Sequence, residues 1–185
     1  MNKDNPENRL LEEIVKGEEE AFKQLYTMTH KKVFHYLVRL LGNQHIVEDI
    51  LSQTYVEVWK TAEKFRGESR VITWIIGIAR NLAMNELRRN KAPEIELNEE
   101  IASQPSQFTD CAGSQRTEIL RDALNKLSSN HREVLDLVFL QGMHYDEIAQ
   151  VMHVPVNTVK TRVFYAKERI KDVFRVMGVE KYDLL

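Results

Sequence analysis

Between Tyr145 and Arg169 the chain sets out side chains suited to the edges of a nucleic-acid groove. Val156, Val159, Val163, Ala166, Ile170 and Val173 recur at gaps of three and four, the apolar stripe of one helix. At about 100° per residue, Asn157, Thr158, Thr161, Arg162 and Tyr165 fall away from that stripe. Arginine can fork onto guanine and asparagine onto adenine. Lys160, Lys167 and Arg169 suit phosphates, which set position and not sequence. Upstream, Ile148, Ala149 and Met152 mark a short helix from Tyr145 to Met152, followed by a turn at His153-Val154. Pro155 suits the first turn of the next helix, and small Ala149 permits close helix contact. The pattern is that of a helix-turn-helix. A plain helical hairpin with a solvated basic face has the same pattern, so periodicity alone leaves both open.

A second group lies on a helix running from Trp74 to Arg89. Asn81 and Asn85 are four apart on one face, and a half-buried amide offers both donor and acceptor to an unstacked base. Arg80, Arg88 and Arg89 accompany them, and a loop, Phe65-Arg66-Gly67-Glu68-Ser69-Arg70, precedes them. A solvated helix face is the alternative for the two asparagines. Trp74 and Trp59 fall within apolar patterns and are expected in the core.

Other chemistries find no residues. Gly67 and Gly77 are too isolated for a phosphate loop. The six histidines and Cys111 show no metal-ligand spacing, and Cys111 has no basic neighbour to lower its pKa. Glu99-Glu100 reads as solvating charge. No catalytic residue, metal, cofactor or small-molecule substrate is expected, and the protein is not expected to be an enzyme.

The elements that must position these groups are helical. Of 185 residues only 7 are glycine and 4 proline, and no strand-like alternation persists. The chain is 43% hydrophobic, enough for a core, yet no apolar run reaches the roughly 18–20 residues that span a bilayer. With a single cysteine and no apolar leader, a cytoplasmic location is expected. The fold expected is all-α: two small helical domains, 1–90 and 116–185, the second containing the helix-turn-helix. A flexible linker, 91–115, joins them, with an expected span of about 25–30 Å. Its two prolines and loss of periodicity mark the boundary. The net charge of −2 conceals local patches. Residues 154–175 hold six basic and two acidic side chains, and 80–91 hold four and one; 1–20 hold three and seven, and the linker one and five. Screening over about 8–10 Å makes the patches, not the sum, decide phosphate attraction.

The segment YDEIAQVMHVPVNTVKTRVFYAKERIK (145–171), with LRDALNKLSSNHREVLDLVFLQGMHYDEIA (120–149) before it, resembles the promoter-reading end of bacterial RNA polymerase sigma factors of the extracytoplasmic-function (ECF) group. Independently, VEDILSQTYVEVWK (47–60) resembles the family's polymerase-binding helix, and FRGESRVITWIIGIARNLAMNELRRNK (65–91) its strand-opening loop and helix.

The resemblance implies a protein that binds core RNA polymerase and directs promoter-specific initiation. Asn157, Thr158, Lys160, Thr161, Arg162, Tyr165 and Arg169 would read the upstream (−35) element in the major groove. Phe65, Arg66, Gly67, Ser69, Arg80, Asn81, Asn85, Arg88 and Arg89 would hold the opened strand and a flipped base of the −10 element. Glu48, Asp49, Ser52 and Gln53 would face the polymerase. The family usually has Gln and then an acid where this chain has Ser52 and Gln53. Phosphorylation of Ser52 or Thr54 is one way to restore the charge. An anti-sigma partner, often membrane-bound, is a further implication, as is passage of the acidic linker near the polymerase active centre. A stand-alone helix-turn-helix regulator is the competing reading; it leaves the first block unexplained, as does a helical adaptor.

Overall fold

A computed structural model describes residues 5–90 and 115–178. The expected linker up to residue 114, with Cys111 and its carboxylates, lies outside the described residues, as does the tail after Gly178. All regular structure among the described residues is helical. The chain forms two compact units, the first built on the helices before the linker and the second on those after it.

In the first unit, α1 (Pro6–Val15) begins on Asn5, whose Oδ1 accepts from the Glu7 N–H at 3.1 Å, with proline in the first turn. Leu10, Leu11 and Ile14 are its buried face. α2 (Glu19–Leu41) buries Ala21, Leu25, Thr29, Val33, Tyr36 and Leu37. It ends on Gly42, whose φ of 72° is the left-handed conformation that favours glycine. α3 (Gln44–Thr61) starts on Asn43, whose side chain accepts from the His45 N–H at 3.1 Å. α4 (Val71–Asn90) contributes Val71, Ile72, Ile75, Ile76, Ala79 and Ala83 to the core that it shares with α2 and α3.

A polar chain runs through that core. The Thr29 hydroxyl donates to the Leu25 carbonyl at 2.7 Å, so the Tyr55 hydroxyl, also 2.7 Å away, is the donor to Thr29. Burial pushes the Tyr55 phenol far above its usual range and keeps it neutral.

The second unit opens with α5 (Gln115–Asn125). α6 (Ser129–Leu135) is capped by Ser128 and continues into a π-helical turn, Asp136–Leu140, closed by the Gln141 N–H on the Asp136 carbonyl at 3.0 Å. The widened turn buries Leu137 and leaves Phe139 and Leu140 each 60% exposed.

α7 (Tyr145–Met152) is capped from within: Glu147 Oε2 accepts from the His144 N–H at 3.0 Å. It ends at His153, a non-glycine residue with φ of 54°, where the Val154 N–H reaches back to the Ala149 carbonyl at 3.1 Å. Pro155 then caps α8 (Val156–Val176), which buries Val159, Val163, Ala166 and Val173 and packs on α6. Val156, expected in the stripe, is 37% exposed because it stands in the first turn, before α8 has entered its packing contact.

The left-handed turn residue yields a test. His153→Val, which puts a β-branched side chain at positive φ, should lower stability by about 1–2 kcal/mol. His153→Gly should not. Urea unfolding of the full chain, followed by circular dichroism, measures both.

Candidate nucleic-acid and polymerase interfaces

The loop before α4 is held at both ends. The Phe65 N–H bonds the Ala62 carbonyl at 3.1 Å, and the Trp74 N–H bonds the Arg70 carbonyl at 3.1 Å. Between them Gly67 takes a φ of 69°, which favours glycine. The Phe65 ring lies 5.3 Å from that of Trp74, tilted by 50°. Trp74 is half-buried, not a core residue: it carries the loop's aromatic residue on its exposed edge. Trp59 likewise is 38% exposed, with its ring edge-on to Phe22 at 5.2 Å.

Ile75, Ala79 and Ala83 face the core, so Asn81, Asn85 and Arg88, at gaps of four and three, form an outward line on α4. Both asparagines are exposed rather than half-buried, because the apolar stripe of α4 takes the opposite face. Arg80 is half-buried at the edge of this line. Arg66 and Arg88 are exposed, and Ser69 Oγ donates to the Arg70 carbonyl at 3.4 Å. Arg89 pairs with Glu86 one turn back. Asn81 lies two turns beyond Trp74, about 10 Å along the axis, so loop and amides form one strip.

On α3, Glu48, Asp49, Ser52 and Gln53 are all exposed, opposite Val47, Ile50, Thr54 and Val58. Glu48 accepts from Gln44 Nε2 at 3.2 Å, and Ser52 Oγ donates to the Glu48 carbonyl at 2.9 Å. The structure corrects the expectation for Thr54. Its side chain is fully buried and its hydroxyl donates to the Ile50 carbonyl at 2.7 Å, so no kinase reaches it in the folded chain. Val56, 52% exposed and one turn from Ser52 and Gln53, adds an apolar contact that the motif reading passed over.

On α8, Asn157, Lys160, Thr161, Tyr165 and Arg169 are exposed, and Thr158 and Arg162 are half-buried at the edge of the packed face. The Thr161 hydroxyl donates to the Asn157 carbonyl at 2.9 Å. Lys167 Nζ lies 5.2 Å above the Phe139 ring, a cation–π contact, so it is turned toward the π-helical turn. Phe164, 60% exposed with its ring 5.4 Å from that of Tyr165, is a second residue the sequence reading missed. An outward aromatic in the middle of a polar helix face was its signal. Burial lowers the pKa of His131 on α6, and the charges of Arg162 and Arg169 lower it further.

Among the described residues no group of three or more His, Cys, Asp or Glu could hold a metal ion, and no helix is long and apolar enough to cross a membrane.

Each helical unit thus presents polar helix faces opposite its buried stripes. Residues 25–92 match the family Sigma-70 region 2, and residues 117–170 match Sigma-70, region 4. The ECF RNA polymerase sigma-E factor of Haemophilus influenzae is 29% identical over 178 residues, covering 88% of this chain and 92% of that one. SigW of Bacillus subtilis, also an ECF RNA polymerase sigma factor, is 26% identical, covering 89% and 95%. Among solved structures, the sigma factor RpoE of Bartonella quintana, crystallised with the anti-sigma factor NepR, aligns with a TM-score of 0.65 at 25% identity, over 84% of this chain and 97% of that one. CnrH, solved with the cytosolic domain of CnrY, shares the fold with a TM-score of 0.67 at 23% identity, over 93% and 99%.

The chain belongs to the ECF group of RNA polymerase sigma factors. It serves core RNA polymerase in promoter-specific initiation. Its region 2 match distinguishes it from a stand-alone helix-turn-helix regulator.

The Phe65–Trp74 contact is open to a double-mutant cycle. Phe65→Ala and Trp74→Ala should couple by about 0.5–1.5 kcal/mol in unfolding measurements.

Proposed function

We propose that the outward faces of α3, α4 and α8 divide the work of initiation. Residues 1–90 form the unit that binds core polymerase and the −10 element, 116–185 the unit that reads the −35 element, and 91–115 the link. Glu48, Asp49, Ser52 and Gln53 contact the polymerase, with Val56 beside them. One carboxylate fewer than the family pattern makes this a contact more dependent on neutral hydrogen bonds. Phe65, Arg66, Gly67 and Ser69 with Asn81 receive an unstacked −10 base. Arg80, Asn85, Arg88 and Arg89 follow the strand's backbone. Asn157, Thr158, Thr161, Arg162 and Tyr165 face base edges upstream, and Lys160 and Arg169 face phosphates.

The observation that carries this reading is the outward line Asn81, Asn85, Arg88 on α4, matched by Thr158, Arg162, Tyr165 and Arg169 on α8. Each is left by a helix whose opposite face is buried. Joined in one chain, two weak readers act as one selective reader, since the second contact is effectively intramolecular. The protein performs no catalysis of its own and works in the cytoplasm. The complex of RpoE with the anti-sigma factor NepR supports an anti-sigma partner for this chain too, membrane anchoring included in the family's range.

Reconstituted transcription tests the assignment: purified protein, bacterial core RNA polymerase, and a promoter library that includes the DNA upstream of its own gene. Specific initiation that depends on the protein is the expected result. On a promoter so found, Arg162→Ala should cost about 1–3 kcal/mol of binding and relax selectivity at one upstream position. Asn81→Ala should leave closed-complex binding near wild type and reduce opening. Tight duplex binding by the protein alone, with no affinity for polymerase, would overturn the assignment.

A further inference from the structure

Asp49, Ser52, Gln53 and Val56 share the outward face of α3, with Thr54 and Val58 buried on the other side. At about 100° per residue, Trp59 and Lys60 carry that outward face one turn further, and both are exposed. α3 then runs into a 3₁₀ turn, Ala62–Lys64, and α1 packs against that turn. The face thus ends at a junction with a helix that lies ahead of residue 25, where the region 2 match begins.

That junction holds an apolar cleft of about 200 Å³. Its floor is Ile14 and Ala62, both buried. Its walls are Val15 and Trp59, which are 52% and 38% exposed. Val15 is the last residue of α1, whose packing is already supplied by Leu10, Leu11 and Ile14. Gly17 follows with a φ of 90° and adds no side chain to the opening. The Phe22 ring braces that of Trp59 edge-on, so the indole wall is set in place. Lys60 and Glu63 stand at the rim, both exposed. One cation and one anion together select neither sign, so the cleft selects for apolar surface. Small-molecule pockets run to roughly 300–1,000 Å³, and this smaller space suits one large aliphatic or aromatic side chain.

We propose that the cleft is a socket for one apolar side chain of core RNA polymerase, with α1 supplying a wall of it. Continuity chooses the occupant. A partner seated on Asp49, Ser52 and Gln53 reaches Val56 one turn on and Trp59 at the next, along one face of one helix. The occupant therefore rests on the reading of α3 as the polymerase-facing helix. A preformed pocket with an aromatic wall is where an interface concentrates its affinity, and a braced ring loses little freedom on binding. The socket supplies this by apolar burial, beside a polar face that Ser52 and Gln53 leave short of charge.

The test titrates the fluorescently labelled full chain with bacterial core RNA polymerase at several salt concentrations. Val15→Gln, a good helix former, should weaken core binding by about tenfold, and equally at every salt concentration. Val15→Trp should weaken it too, because a larger wall closes the socket even as it adds apolar surface. Asp49→Asn should weaken binding mainly at low salt, where charge is least screened. Both Val15 variants should keep the wild-type midpoint in urea unfolding, since the side chain is half in solvent.

Wild-type core affinity for Val15→Gln would overturn the socket. So would tighter binding by Val15→Trp, which marks a flat apolar contact, or a lowered unfolding midpoint for both variants, which marks a packing residue. Self-association of the free protein that Val15→Gln abolishes, with core affinity unchanged, would give the cleft to a second copy instead. If Asp49→Asn weakens binding while the Val15 variants do not, only the socket falls. If none of the three changes core affinity, the reading of α3 falls with it.

Discussion

A helix has one surface to divide between the core and everything outside, and each functional face of this protein is what that division leaves. In α8, Val159, Val163, Ala166 and Val173 are buried. Each buried valine favours the packed state by about 1.5–3 kcal/mol, so rotating the helix to hide its polar edge would forfeit several such terms at once. The stripe therefore leaves Tyr165 and Arg169 outside, with Thr158 and Arg162 at its edge. In α4 the buried Ile75, Ala79 and Ala83 do the same for Asn81, Asn85 and Arg88. Apolar packing supplies the energy, and the aim of the polar side chains follows from it.

Around that constraint the first unit is tied by a short polar chain. Tyr55 donates to Thr29, and Thr29 to the Leu25 carbonyl, within a largely apolar core. A buried donor left without an acceptor costs about 1–3 kcal/mol, so this chain favours one register of α3 on α2. Register matters there because the opposite side of α3 carries Asp49, Ser52 and Gln53. In the second unit, caps perform the comparable task. Glu147 starts α7, and His153 ends it in a left-handed residue that turns the chain toward Pro155 and α8. Glu147 thus has a structural use, and the outward polar residues of α8 begin only after the turn.

Much of this was legible in the residues alone. The gaps of three and four in α2, α3, α4 and α8, Gly42 at the end of α2 and Ser128 at the start of α6 are local signals, and the helices follow them. What escaped had other causes. α1 lies within an acidic stretch whose charge masks Leu10, Leu11 and Ile14, although Asn5-Pro6 is a helix start by any local rule. The π-helical turn at Asp136–Leu140 adds a residue without any marker in composition, and so the exposure of Phe139 and Leu140 could not be anticipated. Trp74 was assigned to the core on its period, yet it stands at the end of the stripe, where it supports Phe65.

Sequence by itself determined the helical class, the two amphipathic blocks, the location of the basic patches, and the motif order of regions 2 and 4. These depend on side chains near one another along the chain, where a period of 3.6 residues suffices to relate them. Tertiary structure decided which polar residues share a surface when they come from different helices. It buried Thr54 while leaving Ser52 outside, and drew Lys167 over Phe139. It also packed α6 on α8, so that the charges of Arg162 and Arg169 reach the His131 imidazole. No spacing rule links residues so many turns of chain apart. Their proximity comes from how two apolar stripes interlock, a property of side-chain shape that appears only when both helices are packed.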